Sequence, residues 1–342
     1  MKKIGLIRGF LAPLALCGGL LTAPAHAADT QVVRYQEYPG SILHLSNWAM
    51  QEKGFCKKHG LDCQPVMLAN GPLAQQAAAA RSVDLIVSSM DVMLQAVAKG
   101  NDLMVVGPMI KNNLYSLSVS ANIDQPNAAK GYPENMKDLA NKRIGVTARG
   151  SATEMYVKSL MRGAGVSFDN VTFIGVGAPS SAYAALVANQ VDGILSWDPI
   201  PAICTATKKC SVAVDMRKGE GPDVVKAMNG GFVVWQARRE YVKENSDVID
   251  KFMAAQKEAF DWLKDPKNFE EAKALAATRF KLGDVPSRDQ VVEQVVHDMI
   301  DQYDTMLDPN VVDGFNQFLL NNKLIAKPVD KTNLIYKSSS AS

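Results

Sequence analysis

Apolar positions along the chain fall into short continuous runs, separated by stretches in which they recur every third or fourth residue. Val32-Val33-Arg34-Tyr35 reads as a strand, and Pro39-Gly40 as a turn. Ser41 reads as the N-cap of a helix over 42–53 that Gly54 stops. A strand over 64–68, an alanine-rich helix over 72–81, a strand over 83–87, a helix capped by Asp91 and ended by Gly100, and a strand over 103–107 follow. Strands alternating with helices of about ten residues predict parallel βαβ units with helices on both sheet faces. A polar, turn-rich crossover over 121–133 interrupts the rhythm, which then restarts. Helices are predicted over 136–141, 151–162 and 180–189, and strands over 143–147, 171–176, 191–195 and 231–235. The remainder reads as helices over 246–264, 269–279, 288–307 and 311–321. Ile249, Phe252, Ala255, Ala259 and Trp262 give the first of these an apolar stripe. The two halves agree in element order and not in sequence.

The first residues bear on compartment. Lys2, Lys3 and Arg8 precede an apolar run over 10–21 and the small-residue exit Ala23-Pro24-Ala25-His26-Ala27. This layout predicts a signal peptide over 1–27, cleaved after Ala27, and export to the periplasm. The run is shorter than the roughly 20 residues that cross a bilayer. Cys17 follows Leu14-Ala15-Leu16, a poor match to a lipid-anchor site because Leu16 is large. Losing the three basic residues of the leader takes the formal charge of +2 to slightly below zero. A surface so close to neutral excludes a nucleic-acid partner, which needs a basic face.

Beyond the leader, Cys56 and Cys63 form one close pair and Cys204 and Cys210 another. In an oxidising compartment these read as two disulfides, each worth about 2–3 kcal/mol by loop entropy. Free thiols or a metal site are the alternatives, but neither spacing is C-x-x-C and no histidine lies near Cys204 or Cys210. The four histidines are scattered and one lies in the leader. No metalloprotease helix, nucleophile elbow or phosphate loop appears. The expectation is a chain with no catalytic residues, no metal and no cofactor.

In open α/β sheets ligands sit beyond the carboxyl ends of strands. Here those ends carry small polar turns: Tyr38-Pro39-Gly40-Ser41, Ser88-Ser89, Thr147 through Gly150-Ser151-Ala152-Thr153, and Ser196-Trp197-Asp198-Pro199. The turn at Arg149 is the sharpest candidate. Gly150 lets backbone approach a ligand, Ser151 opens a helix whose free N–H groups suit an anion, and Arg149 offers a bidentate clamp. Ser88 and Ser89 offer hydroxyls, unless they only cap the next helix. Trp197 offers a stacking face, or ordinary packing. Asp198 meets a positive ligand group or caps a helix. Tyr38, Tyr115, Tyr183 and Trp197 favour an organic anion with an apolar or aromatic body.

Four segments in order resemble the substrate-binding proteins of nitrate/sulfonate/taurine ABC importers. They are Tyr35-Gln36-Glu37-Tyr38-Pro39-Gly40-Ser41 with Gly60-Leu61-Asp62; Arg81-Ser82-Val83-Asp84-Leu85-Ile86; Met136 through Thr147 with Gly150-Ser151-Ala152-Thr153; and Ala184 through Gly193. The resemblance covers roughly 32–232. It implies a periplasmic binding protein-like α/β fold of type II, with two α/β lobes, two hinge crossovers and a helical C-terminal region. The lobes are expected at 28–115 plus 233–342 and at 116–232, with hinges near 114–119 and 231–234. It implies a monomer that captures a small anionic ligand, of the sulfonate or carboxylate class, and delivers it to an ABC permease in the inner membrane. A neutral or cationic heterocycle such as a pyrimidine, and a sensor role at a membrane receptor, are the alternatives. A pyrimidine-forming enzyme shares this fold, but export and the few histidines count against that activity.

Overall fold

The computed structural model describes residues 30–280, 285 and 287–337; the expected signal peptide and Cys17 lie outside them. Two five-stranded sheets organise the chain. The first takes β1 (Gln31–Glu37), β2 (Leu61–Met67), β3 (Leu85–Ser89), β4 (Leu103–Ile110) and β10 (Val233–Arg238) in the order β2-β1-β3-β10-β4. The second takes β5 (Ser116–Ser120), β6 (Arg143–Val146), β7 (Thr172–Gly175), β8 (Gly193–Ser196) and β9 (Cys210–Asp215) in the order β7-β6-β8-β5-β9. The chain thus crosses between sheets twice, after β4 and before β10. The periodicity implied parallel strands throughout, and this needs correction. β10 runs antiparallel to β3 and β4, and β5 antiparallel to β8 and β9. A strand that arrives from the other lobe enters its new sheet from the opposite end, so local pattern cannot show its direction.

Helices α1 (Leu45–Glu52), α2 (Phe55–Lys58), α3 (Gly71–Ala79) and α4 (Met90–Ala98) belong to the first lobe. The second holds α5 (Ala152–Gly163), α6 (Pro179–Val187), α7 (Ile200–Thr207) and the short α8 (Asp223–Lys226). The pattern missed α7 and β9. After β10 come α9 (Arg239–Glu244), α10 (Ser246–Lys264), α11 (Phe269–Arg279), α12 (Arg288–Ile300) and α13 (Val311–Asn321). α12 stops short of the expected 307. Tyr303 leaves the helix to stack on Phe260, and its hydroxyl donates to Leu43 O at 3.0 Å.

Both cysteine pairs are disulfides, Cys56–Cys63 tying α2 to β2 and Cys204–Cys210 tying α7 to β9. Ile249, Phe252, Ala255 and Ala259 of the α10 stripe are buried while Trp262 is half-buried, and Phe252 lies edge-on to Trp235 of β10 at 5.0 Å. The two lobes repeat one device that their sequences hide. Arg34 of β1 places its guanidinium on Asp84 at 2.7 and 3.0 Å, and its own N–H donates to the same carboxylate at 2.9 Å. Arg143 of β6 does the same to Asp192, at 2.7, 3.1 and 2.8 Å. In each lobe a left-handed residue, Arg81 or Asn189, turns the chain from helix into the strand that this carboxylate opens.

Candidate ligand-binding site

The carboxyl ends of β3, β6 and β8, with the amino ends of β5 and β10, face a cleft of about 550 Å3, counting the space open to solvent. Tyr38, Tyr115 and Trp197 supply aromatic walls, Trp197 lying 6.4 Å from Tyr38 and 6.0 Å from Tyr115 between ring centres. The Tyr38 hydroxyl donates to Val87 O at 2.9 Å, and its backbone N–H donates to Nε2 of His44 at 2.8 Å. His44 is therefore a neutral structural group, and burial pushes its pKa down to about 3.

Polar atoms enter from both lobes. Ser88 and Ser89 end β3, while Thr147, Ser151 and Ala152 stand at the end of β6 and the start of α5. Ser151 is the N-cap of α5, yet its hydroxyl makes no capping bond. The first-turn amides of Ala152, Thr153 and Glu154 consequently have no protein acceptor among the described residues. Of these residues only Ala152 lines the cleft, and its amide, with the helix dipole, offers a donor to a ligand oxygen.

Several expected residues fall elsewhere. Arg149 does not line the cleft: its side chain is 64% exposed and turns back onto Glu154 at 2.9 Å. It also donates to Phe173 O at 3.2 Å and lies over the Phe173 ring. Gly150 gives its N–H to Glu154 Oε2 at 2.9 Å. Lys158 reaches Glu154 too, and despite the opposing effect of burial these donors hold its carboxyl below its ordinary value. Asp198 meets Arg217 at 2.8 and 3.0 Å, and Arg217 also pairs with Asp215 at 2.9 Å. Burial still pushes Asp198 up to about 6. Ser41 accepts from Trp197 Nε1 at 3.0 Å instead of facing the cleft, and Pro39 lines a separate hollow with Tyr183. Thr153 is buried behind Thr147 and Ser151.

The cleft also uses residues that were not singled out. Asn70 and Gly71 form its lip, Asn70 Oδ1 capping α3 by accepting from Leu73 N at 3.0 Å. A Cβ on Gly71 would lie 3.3 Å from Val92, so only glycine fits easily there. The strand-end rule that found the other turns reaches this one as well, since it follows β2. Among the described residues, no lysine or arginine lines the cleft. Behind its wall lies Asp91, fully buried in the first turn of α4 rather than at its cap. Among the described residues there is no histidine, cysteine and carboxylate cluster able to hold a metal, and no helix long and apolar enough to cross a membrane.

A protein of Brucella abortus named as a candidate binding protein is 28% identical over 212 residues, 62% of this chain and 60% of its own length. A protein of Haemophilus influenzae named for thiamine biosynthesis is 28% identical over 178 residues, 52% of this chain and 53% of its own. The chain thus spans about 60% or less of these relatives. A solved structure from Bordetella bronchiseptica superposes with a TM-score of 0.76 at 22% identity, covering 90% of this chain and 95% of that one. The alkanesulfonate-binding protein SsuA of Xanthomonas axonopodis, bound to MOPS, gives 0.68 at 19%, over 91% and 99%. The periplasmic nitrate-binding protein NrtA of Synechocystis gives 0.64 at 14%, over 89% and 84%. At such identities the likeness is one of fold. Residues 43–268, well over half of the chain, match the family described as NMT1/THI5 like, and the chain belongs to that family, built on the fold of periplasmic solute-binding proteins.

Proposed function

We propose that this is an exported solute-binding protein of an ABC importer, with no catalytic role, that captures a small organic molecule between its lobes. The leader over 1–27 directs it to the periplasm, and a permease in the inner membrane receives the ligand. Residues 28–115 with 233–342, and 116–232, are the bodies that close. The ligand has a flat apolar body lying among Tyr38, Tyr115 and Trp197, and a head that accepts hydrogen bonds. The observation that carries this reading is the uncapped start of α5 opening beside hydroxyls into an aromatic cleft. A carboxylate or sulfonate head suits the Ala152 amide best. A neutral carbonyl-bearing heterocycle is the second reading, favoured by a cleft wall without lysine or arginine among the described residues and by Asp91 behind it.

Calorimetric titration with benzoate, benzenesulfonate, benzamide and benzamidinium tests both, because these share a ring and differ in the head. Saturable binding of the acids, tighter than that of benzamide, is expected on the first reading, and the reverse order on the second. Tightest binding by benzamidinium, which only donates, contradicts both. Arg149→Ala should leave the affinity unchanged; a loss of about tenfold or more, the size of a charge-assisted bond, would return Arg149 to the site.

A further inference from the structure

Two hydroxyl groups of the cleft are held from behind by side chains that do not reach it. In the first lobe Gln236 of β10, wholly buried, places Nε2 at 2.7 Å from Ser88 Oγ. The same nitrogen lies 3.3 Å from Ser88 O and 3.4 Å from Val234 O. Carbonyl oxygens can only accept, so the amide atom beside them is the nitrogen. Gln75 of α3 holds that sense by donating its Nε2 to Gln236 Oε1 at 3.0 Å. Ser88 Oγ therefore accepts from Gln236. Its own proton has only Ser89 O at 3.3 Å, a long contact for a hydroxyl donor.

The second lobe reaches the same result by a count of protons. Thr153 Oγ1 accepts from Thr147 N–H at 2.9 Å, and lies 3.1 Å from Thr147 Oγ1 and 2.8 Å from Ser151 Oγ. One of its two lone pairs is taken by the backbone, so it accepts from one of those hydroxyls and donates to the other. The hydroxyl that receives the Thr153 proton keeps its own. Thr147 and Ser151 both line the cleft, so one free O–H faces the ligand whichever way the network settles.

We propose that Gln236 and Thr153 are positioning residues that fix the cleft hydroxyls as hydrogen-bond donors. The site thereby favours a ligand head that accepts (carboxylate, sulfonate or carbonyl oxygen), because a hydroxyl proton in each lobe is left without a good partner. This rests on the binding role proposed above, and it assigns the polarity of the head independently of its charge.

The test uses the full chain and whichever of benzoate or benzamide binds more tightly, with benzamidinium as the donor-only probe. Gln236→Met should weaken the acceptor probe about three- to tenfold, the range of one neutral hydrogen bond. In a Ser88→Ala background the same change should cost less than about twofold, because Gln236 acts through Ser88. Thr153→Val should weaken the probe to a similar degree and Thr153→Ser should restore it. If Gln236→Met does not fold, Gln75→Leu, which frees the Gln236 oxygen, carries the same cycle. An equal loss with and without Ser88 overturns the role of Gln236. A failure of Thr153→Ser to restore binding overturns that of Thr153. Either result leaves the solute-binding reading in place. Tighter binding of benzamidinium than of both acceptors, or no saturable binding by any probe, overturns the two together.

Discussion

At the scale of single residues, Asp91 sets a cost that the cleft carries. Its carboxylate is wholly buried, neither oxygen makes a well-aligned hydrogen bond among the described residues, and the tyrosines 38, 115 and 156 feel its charge. Burial pushes its pKa up to about 6, with the Ser89 hydroxyl and the first-turn amides of α4 offsetting only part of that. An acid whose folded pKa lies above its unfolded value takes up its proton more readily when folded. Its effect on stability therefore worsens as pH rises from about 4 to about 6, and is constant above that. Asp91→Asn should raise stability by about 2–3 kcal/mol at pH 7.5 and by little near pH 4. Urea unfolding at the two pH values measures this; an equal shift at both would assign the effect to packing. Arg149 teaches the complementary lesson. Its side chain turned to Glu154, whose position five residues on was plain in the sequence, while nothing there showed that this pairing would win over the cleft.

At the scale of elements, the twin clamps Arg34–Asp84 and Arg143–Asp192 join β1 to β3 and β6 to β8, the strand that each carboxylate opens. The Arg143 guanidinium holds the Asp192 carboxyl below its ordinary value. That stabilisation is present above the unfolded carboxyl range near 4 and is lost as pH falls through the lower folded value. Asp192→Asn should lower the urea midpoint at pH 7, and the gap to the native chain should close in acid, once the folded carboxyl is protonated; a gap that persists there would show that charge is not the cause. Most helices and strands were legible in the sequence, because their apolar residues carry the period of one or the other. α7 and β9 were not. The pattern predicts no element over 199–215, beyond the option of a helix capped by Asp198; Pro201 sits in the first turn of α7, where a missing N–H costs nothing, and the disulfide closes the turn into β9.

At the scale of the molecule, polar side-chain contacts are among those that join the second lobe to the first and to the C-terminal helices. Trp197 Nε1 donates to Ser41 Oγ at 3.0 Å, Arg217 lies 3.6 Å from Asp298 of α12, and Ser159 and Arg162 of α5 meet Asn322 Oδ1 after α13 at 3.1 and 2.7 Å. On the proposed capture mechanism, ligand and contacts favour the same closed arrangement. Combining Ser41→Ala with Asn322→Ala should enlarge the radius of gyration without ligand, and saturating ligand should restore the native value. Small-angle scattering reads both quantities, and dimensions unchanged by the two substitutions would show that these contacts do not govern closure.

The sequence by itself determined the class of fold, the near-neutral surface, the cysteine pairs and the polar turns at strand ends where a ligand would sit, because these depend on local period, composition and spacing. It also carried the family resemblance. Only the tertiary structure decided which turn residues face the cleft. Ser151 and Trp197 do, while Arg149 and Asp198 satisfy partners on their own lobe. It alone brought Gln236 behind Ser88, 148 residues apart in the chain. Where a side chain points, and which hydrogen bonds its proton has left to make, depends on neighbours that only the folded chain supplies.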